Sequence, residues 1–312
     1  MAPARGFDAE LAQLESLRDA DPATTEAPLR KALANRNNFI VAKAAKLIAA
    51  HNHCILTADL AAAFPRFLAD GPKSDPQCWA KNAIAQTLSA FDYQEQDFFL
   101  TGMSCIQLEP TWGGPSDTAG TLRGICALGL VQCRALSNLQ VLTHLVPLFA
   151  DKVLSVRVNA ARAVEQIGTD SGSLLLRLRA ELGSDSPELL GACYSGVLRI
   201  EGPSTIPWAA KFLSSPRSST DAEPDADAAE AEAAFAIAET RTEAAFTLLQ
   251  STWKQARDPD FRATLLTAIA LTRQDAAIDF LFAQIADGNQ PAREALENSA
   301  PTPAILDRLK KL

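Results

Sequence analysis

Three histidines, six cysteines and a series of evenly spaced Asp–Arg pairs are the residues of this chain with chemistry to offer. His51-Asn52-His53-Cys54 brings together two imidazoles and a thiol, side chains that ligate transition metals. On a helix, residues two apart point to different sides, so a shared ion requires the helix to end there. No carboxylate or fourth ligand stands nearby in sequence. The segment therefore reads as a polar helix terminus, and no metal or other cofactor is expected. Among Cys54, Cys78, Cys105, Cys126, Cys133 and Cys193 there is no CxxC pair, and several lie in apolar runs such as Ile125-Cys126-Ala127-Leu128. That pattern predicts buried free thiols in a reducing compartment. Gly113-Gly114 carries nothing of a phosphate-binding loop, and no GxSxG elbow occurs. The inventory for catalysis is poor, and the chain is read as a non-enzyme.

The elements that position these residues are legible from composition. Of 312 residues, 47% are apolar but only 6% aromatic, with just two Tyr. Alanine and leucine dominate, and no stretch alternates apolar and polar residues for long, so helices are expected throughout. The net charge of −8 argues against a general nucleic-acid binder. Much of the acidity falls in the last third, leaving the middle near neutral. The N-terminal stretch has no apolar core of signal-peptide length, and no run reaches the length of a membrane span. A cytoplasmic location without membrane contact is the expectation.

An internal repeat organises the rest. The segment Leu145–Asp151 followed by Ser155–Val164 reads as an amphipathic helix, a turn with Asp, and a second helix opening on Val-Arg. Asp151 and Arg157 are six residues apart. The same spacing links Asp75 with Lys81, Asp117 with Arg123, and Asp287 with Arg293, with Asn37 and Lys43 as a softened copy. Further turns are registered on Asp185, Asp225 and Ala256. Thirteen residues beyond the eight turns stand Ala50, Leu88, Leu130, Val164, Leu198, Ala238, Ile269 and Ala300, all apolar. Chance supplies one or two such pairs but not the whole column. About eight helix pairs are predicted across residues 26–300.

The proline-containing first helix, the turn Asp and the Val-Arg opening resemble HEAT repeats, in the variant found in phycobilisome-lyase-like proteins. The resemblance implies an all-α, right-handed α-α superhelix of the HEAT/armadillo kind. It also implies a ladder of turn Asp and following Arg or Lys between neighbouring repeats. An acceptor at a helix start satisfies orphan N–H groups, and a nearby cation pairs with it. The ladder is degenerate, because Gly191 stands where the fifth Arg belongs. HEAT-like deoxyhypusine hydroxylases hold iron through His-Glu pairs; no His here is followed by Glu, so that activity does not transfer.

Two stretches break the period. Leu108–Ser116 widens the third unit, and the acidic segment 214–227 widens the sixth and reads as a flexible loop. Residues 1–25 are expected to form a capping helix around Phe7, Leu11, Leu14 and Leu17, and residues 301–312 to close the other end.

In this family the second helices line the inner face. Beside the apolar column, a stripe on them carries Trp79, Asn82 and Gln86, then Arg162 and Glu165, then Arg199. Arg162 and Arg199 would fall on adjacent second helices and grip one anionic group, or the stripe is simply a solvated face. Trp112, on the Gly/Pro-rich stretch, is an anchor for a partner or folds back over helix ends. The first expectation is a protein-binding scaffold. The alternatives are nucleic-acid binding, as in HEAT-like alkylpurine DNA glycosylases, and a chromophore-lyase-like role. Lys43, Lys46, Lys81, Arg123, Arg157, Arg162 and Arg199 give nucleic acid some support, but several of them hold ladder positions.

Overall fold

A computed structural model describes residues 4–213 and 224–311. Helices make up nearly all of its regular structure, and it divides into two compact units, Met1–Ala163 and Val164–Leu312. The only paired strands among the described residues form one short hairpin. No helix among the described residues is long and apolar enough to cross a membrane.

The first unit opens with α1 (Ala4–Ser16), α2 (Pro22–Leu33), α3 (Asn38–Ala50) and α4 (Thr57–Ala63), followed by the short turns α5 (Pro65–Leu68) and α6 (Gly71–Ser74). Next come α7 (Trp79–Ala90), α8 (Gln96–Met103), β1 (Leu108–Thr111), β2 (Gly114–Asp117), α9 (Gly120–Leu130) and α10 (Asn138–Leu145). The unit boundary falls inside α11 (Leu154–Ile167). The second unit contains α12 (Asp170–Leu182), α13 (Pro187–Glu201), α14 (Ile206–Ala210), α15 (Pro224–Glu239) and α16 (Glu243–Gln255). It ends with α17 (Pro259–Leu271), α18 (Asp275–Ala286), α19 (Gln290–Asn298) and α20 (Pro303–Leu309).

Within each unit the pattern is a stack of helix pairs. In the first, α3 packs on α7 and α7 on α9, while α2 and α8 lie against α3 and α9. In the second, α13, α15, α17 and α19 stack in sequence, with α12, α16 and α18 as their outer mates. Alanine makes this close stacking possible. Ala44 and Ala45 on α3 and Ala80, Ala83 and Ala85 on α7 are buried, and Thr87 Oγ1 donates to Ala45 O at 3.0 Å across the seam. Helix starts are set by polar caps: Asn37 accepts from Phe39 and Ile40, Ser137 forms a capping box with Gln140, and Asp258 accepts from Phe261.

The apolar column is buried at its six interior positions, Leu88, Leu130, Val164, Leu198, Ala238 and Ile269. Its end members, Ala50 and Ala300, are exposed. Almost every stacked second helix also stops the same way. α3, α7, α11, α13, α15, α17 and α19 are each followed within two residues by positive φ, at Asn52, Asp92, Gly168, Gly202, Arg241, Arg273 and Ala300. The left-handed residue turns the chain back and lets late N–H groups reach the last carbonyls. At the termini, Leu14 of α1 and Leu309 of α20 are buried, and residues 22–25 of the expected N-terminal cap already belong to α2. Of the acidic segment 214–227, residues 214–223 lie outside the described residues, and Pro224 already begins α15.

Candidate functional site

The predicted ladder is concentrated in the first unit. Asp75 and Lys81 are both fully buried, with Lys81 Nζ 3.3 Å from Asp75 Oδ2. Asp75 also accepts from the backbone N–H groups of Ala80 and Lys81, at 2.9 and 3.0 Å, anchoring the first turn of α7. Lys81 Nζ completes its shell with Phe67 O and Gln107 Oε1. Arg123 bridges two turns: it bonds Asp117 at 2.8 Å and forms a fork with both carboxylate oxygens of Asp151 at 2.8 and 3.0 Å. Burial works against charge at Arg123, but the hydrogen bonds it donates to its two carboxylate partners win and raise its affinity for the proton. Arg157 turns back onto its own turn and donates to Asp151 O at 2.8 Å.

In the second unit the ladder changes character. Asp287 is exposed at the end of α18, Asn289 takes the helix-start position, and Arg293 pairs with Glu297 at 3.6 Å rather than with Asp287. At Gly191 the missing side chain is filled by Glu232, and a Cβ would collide with its carboxyl group. Burial and the neighbours Glu188 and Glu239 push the Glu232 carboxyl upward. Arg262, six residues after Ala256, keeps the cation position without an acidic turn residue: it donates to Ala256 O at 3.1 Å and covers the Trp253 ring.

The histidines are occupied by their own chain. His51 Nε2 lies 2.8 Å from Leu17 O and His53 Nε2 lies 2.6 Å from Thr25 Oγ1, tying the end of α3 to the preceding segments. Cys78, Cys126, Cys133 and Cys193 are buried, Cys105 is partly so, and Cys54 is exposed. Burial pushes the Cys78 thiol up to about 11 and the Cys193 thiol up to about 12.

The stripe predicted on the second helices is only partly free. Trp79 is half exposed, but its ring meets Phe39 edge-on at 5.4 Å, and Phe39 in turn meets Phe7. Gln86 is exposed, and the buried Oδ1 of Asn82 has no hydrogen-bond partner among the described residues. Arg199 pairs with Glu165 at 2.8 Å while most of its side chain stays in solvent. Arg162 is exposed and has no ion pair among the described residues. Of the other cations weighed for nucleic acid, Lys43 pairs with Glu15, and Lys81 and Arg123 face inward.

Two apolar surfaces stand out instead. The first is the hairpin. Trp112 is 105% exposed at its tip, so the indole touches nothing of its own chain. Gly113 and Gly114, at φ 118° and 126°, close the turn. The inner face of the hairpin is clamped. Glu109 is buried and accepts from Gln77 N at 2.7 Å, Gln107 Nε2 at 2.7 Å and Thr118 Oγ1 at 2.6 Å. Burial raises the proton affinity of that carboxyl, but these hydrogen bonds outweigh it and hold the group below its ordinary value. The strained Gln77-Cys78 pair, both at positive φ, is held in place by the same carboxylate.

The second surface is on α12. Its buried side carries Leu176 and Ala180, and the opposite side exposes Leu174, Leu178 and Leu182 at 67%, 59% and 58%. Spacing of four places these three in one row along two turns. Sequence reasoning passed over this row. The available signal was five leucines in a thirteen-residue helix, more than one buried stripe takes.

These features define a class, an all-helical protein built from stacked helix pairs. No family model matches the chain, and no curated protein matches it significantly.

Proposed function

We propose that the chain is a non-catalytic scaffold of the HEAT type that docks an amphipathic helix of a partner protein. The observation that carries the reading is the row Leu174, Leu178 and Leu182, exposed on a helix whose other side already fills the core. An exposed leucine row matches the ridge of a second helix, and helix-on-helix docking uses anchors at this spacing. Burying each leucine would contribute about 1–2 kcal/mol, with the rest of the affinity coming from the surrounding contact. The inward-facing Lys81 and Arg123 and the net charge of −8 favour this reading over nucleic acid.

Affinity capture from the native host's lysate tests it, comparing wild type with Leu174→Asp/Leu178→Asp and with Arg199→Glu. The leucine variant should lose a defined partner while its circular dichroism stays unchanged, and Arg199→Glu should keep it. An identical captured set from the leucine variant would remove the reading's support.

A further inference from the structure

We infer that the β1–β2 hairpin is a strap that swings out while the rest of the first unit stays folded, with Glu109 as its catch and the Cys78 thiol as the group it uncovers. Each strand has four residues, and of the eight only Glu109 is buried. The two strands pack mainly on each other, and neither makes a substantial contact with a helix. A lone two-stranded hairpin is marginally stable in water, so its attachment to the body depends on what that one buried side chain holds. Few apolar contacts and exposed backbone bonds mark a segment that opens locally, at lower cost than the whole fold.

The catch and the pivot are bonded separately. Glu109 accepts from Gln77 N at 2.7 Å, Gln77 Nε2 at 3.0 Å, Gln107 Nε2 at 2.7 Å and Thr118 Oγ1 at 2.6 Å. The base of the hairpin has bonds of its own. Gln107 is tied to Lys81 Nζ at 2.7 Å and to Asp75 O at 2.9 Å, and Thr118 N donates to Gln107 O at 2.9 Å. Asp117 accepts from Gln107 N and Ala119 N and pairs with Arg123. Strand pairing and the bond from Thr111 Oγ1 to Gly114 O keep the moving part in one piece. Breaking the bonds of one carboxylate therefore frees residues 108–116 and leaves the buried Asp75–Lys81 pair intact. The turn beneath is loaded against the catch. Gln77 and Cys78 stand at φ 60° and 54°, a left-handed geometry that their Cβ atoms resist and that persists only where the surroundings impose it. Two of the four bonds to Glu109 come from Gln77 and impose it. Cys78 Sγ lies 3.7 Å from Thr118 Oγ1 at this seam and is completely buried. Burial pushes the thiol up to about 11, so it is inert at neutral pH while the strap is closed. When Glu109 lets go, the Gln77–Cys78 turn relaxes and water reaches the thiol.

Thiol labelling under native conditions tests the inference on the full chain. A Cys54→Ser/Cys105→Ser background leaves the four buried cysteines, and iodoacetamide at neutral pH is followed at each one by mass spectrometry of its peptide. Cys126 and Cys193, fully buried in the first and second units, report opening of those units as wholes. Cys78 should be alkylated at least about tenfold faster than either, because the strap opens more often than the units do. Glu109→Gln keeps the shape but turns an amide donor toward the donors it must accept from. It should speed Cys78 by at least about another tenfold and leave Cys126 and Cys193 unchanged. A Cys78 that reacts no faster than Cys126 while Glu109 is present overturns the inference, and that comparison needs no variant of the catch to fold. A Glu109→Gln protein in which Cys78 and Cys126 speed up by the same factor overturns it too, since the carboxylate then supports the whole unit rather than a strap.

Discussion

The turn from α6 to α7 and the turn from α18 to α19 carry the same sequence spacing and hold their helices by different physics. At the first, Asp75 and Lys81 are fully buried and share a closed shell with Phe67 O and Gln107. At the second, Asp287 is in solvent and Arg293 pairs along its own helix with Glu297. Both turns nevertheless stack a helix on its predecessor, α7 on α3 and α19 on α17. The Asp–cation ladder is therefore not what makes the helices stack. Alanine-lined packing does that. Where the ladder is buried it fixes the register of the turn, and where it is exposed it is close to decoration.

Substitutions that remove one partner from each turn should separate the two cases. Lys81→Ala leaves Asp75 as a buried charge without its cation and should cost about 3–5 kcal/mol, read as a lower urea midpoint at unchanged slope. Asp151→Ala removes the fork on Arg123 but leaves Asp117 to pair with it, and about 2–3 kcal/mol should be lost in the same assay. The second unit also holds a carboxylate strongly. Glu201 is held down to about 2 by Arg177, with burial opposing and Ser173 and Thr205 assisting. Because its folded value lies below the unfolded one, its stabilisation is complete above about pH 4.5 and fades as pH falls toward about 2. Glu201→Gln should cost about 1–2 kcal/mol at neutral pH, and the difference from wild type should vanish across that acid window in a pH series of melts. Arg293→Ala should change stability by less than about 0.5 kcal/mol, because an exposed pair along one helix is worth little. A large loss there would show that the two turns are more alike than their burial implies.

Much of this was legible before the coordinates. The spacing of six places Asp75 with Lys81 and Asp117 with Arg123, and the apolar column is buried at all but its two end positions. Spacing alone does not say whether the two residues meet. Asp117 and Asp287 are both separated from their helix by two residues, yet Asp117 holds Arg123 whereas Asp287 lies in solvent and Arg293 pairs with Glu297. The hairpin was hidden because prolines in both strands argue against strands, although Trp-Gly-Gly between two short polar stretches is a turn signal. The inward Glu109 was hidden because a carboxylate on a short loop reads as solvated until its four donors are seen. The pairing of Arg199 with Glu165 was not read from the sequence, which set Glu165 beside Arg162 instead.

The left-handed residue that recurs after nearly every stacked helix has a consequence for how this protein can change over time. Glycine fills that place at residues 168 and 202, whereas Arg241, Arg273 and Ala300 occupy it with a Cβ that resists the geometry by about 1 kcal/mol each. These three sites sit outside the core and outside both exposed apolar surfaces. Heat tolerance is therefore open to this lineage through single-codon drift toward glycine at helix ends, with its binding faces left as they are. Part of each gain is offset by the looser unfolded chain that glycine allows. Arg273→Gly, measured as a small rise in Tm, is the place to look for it.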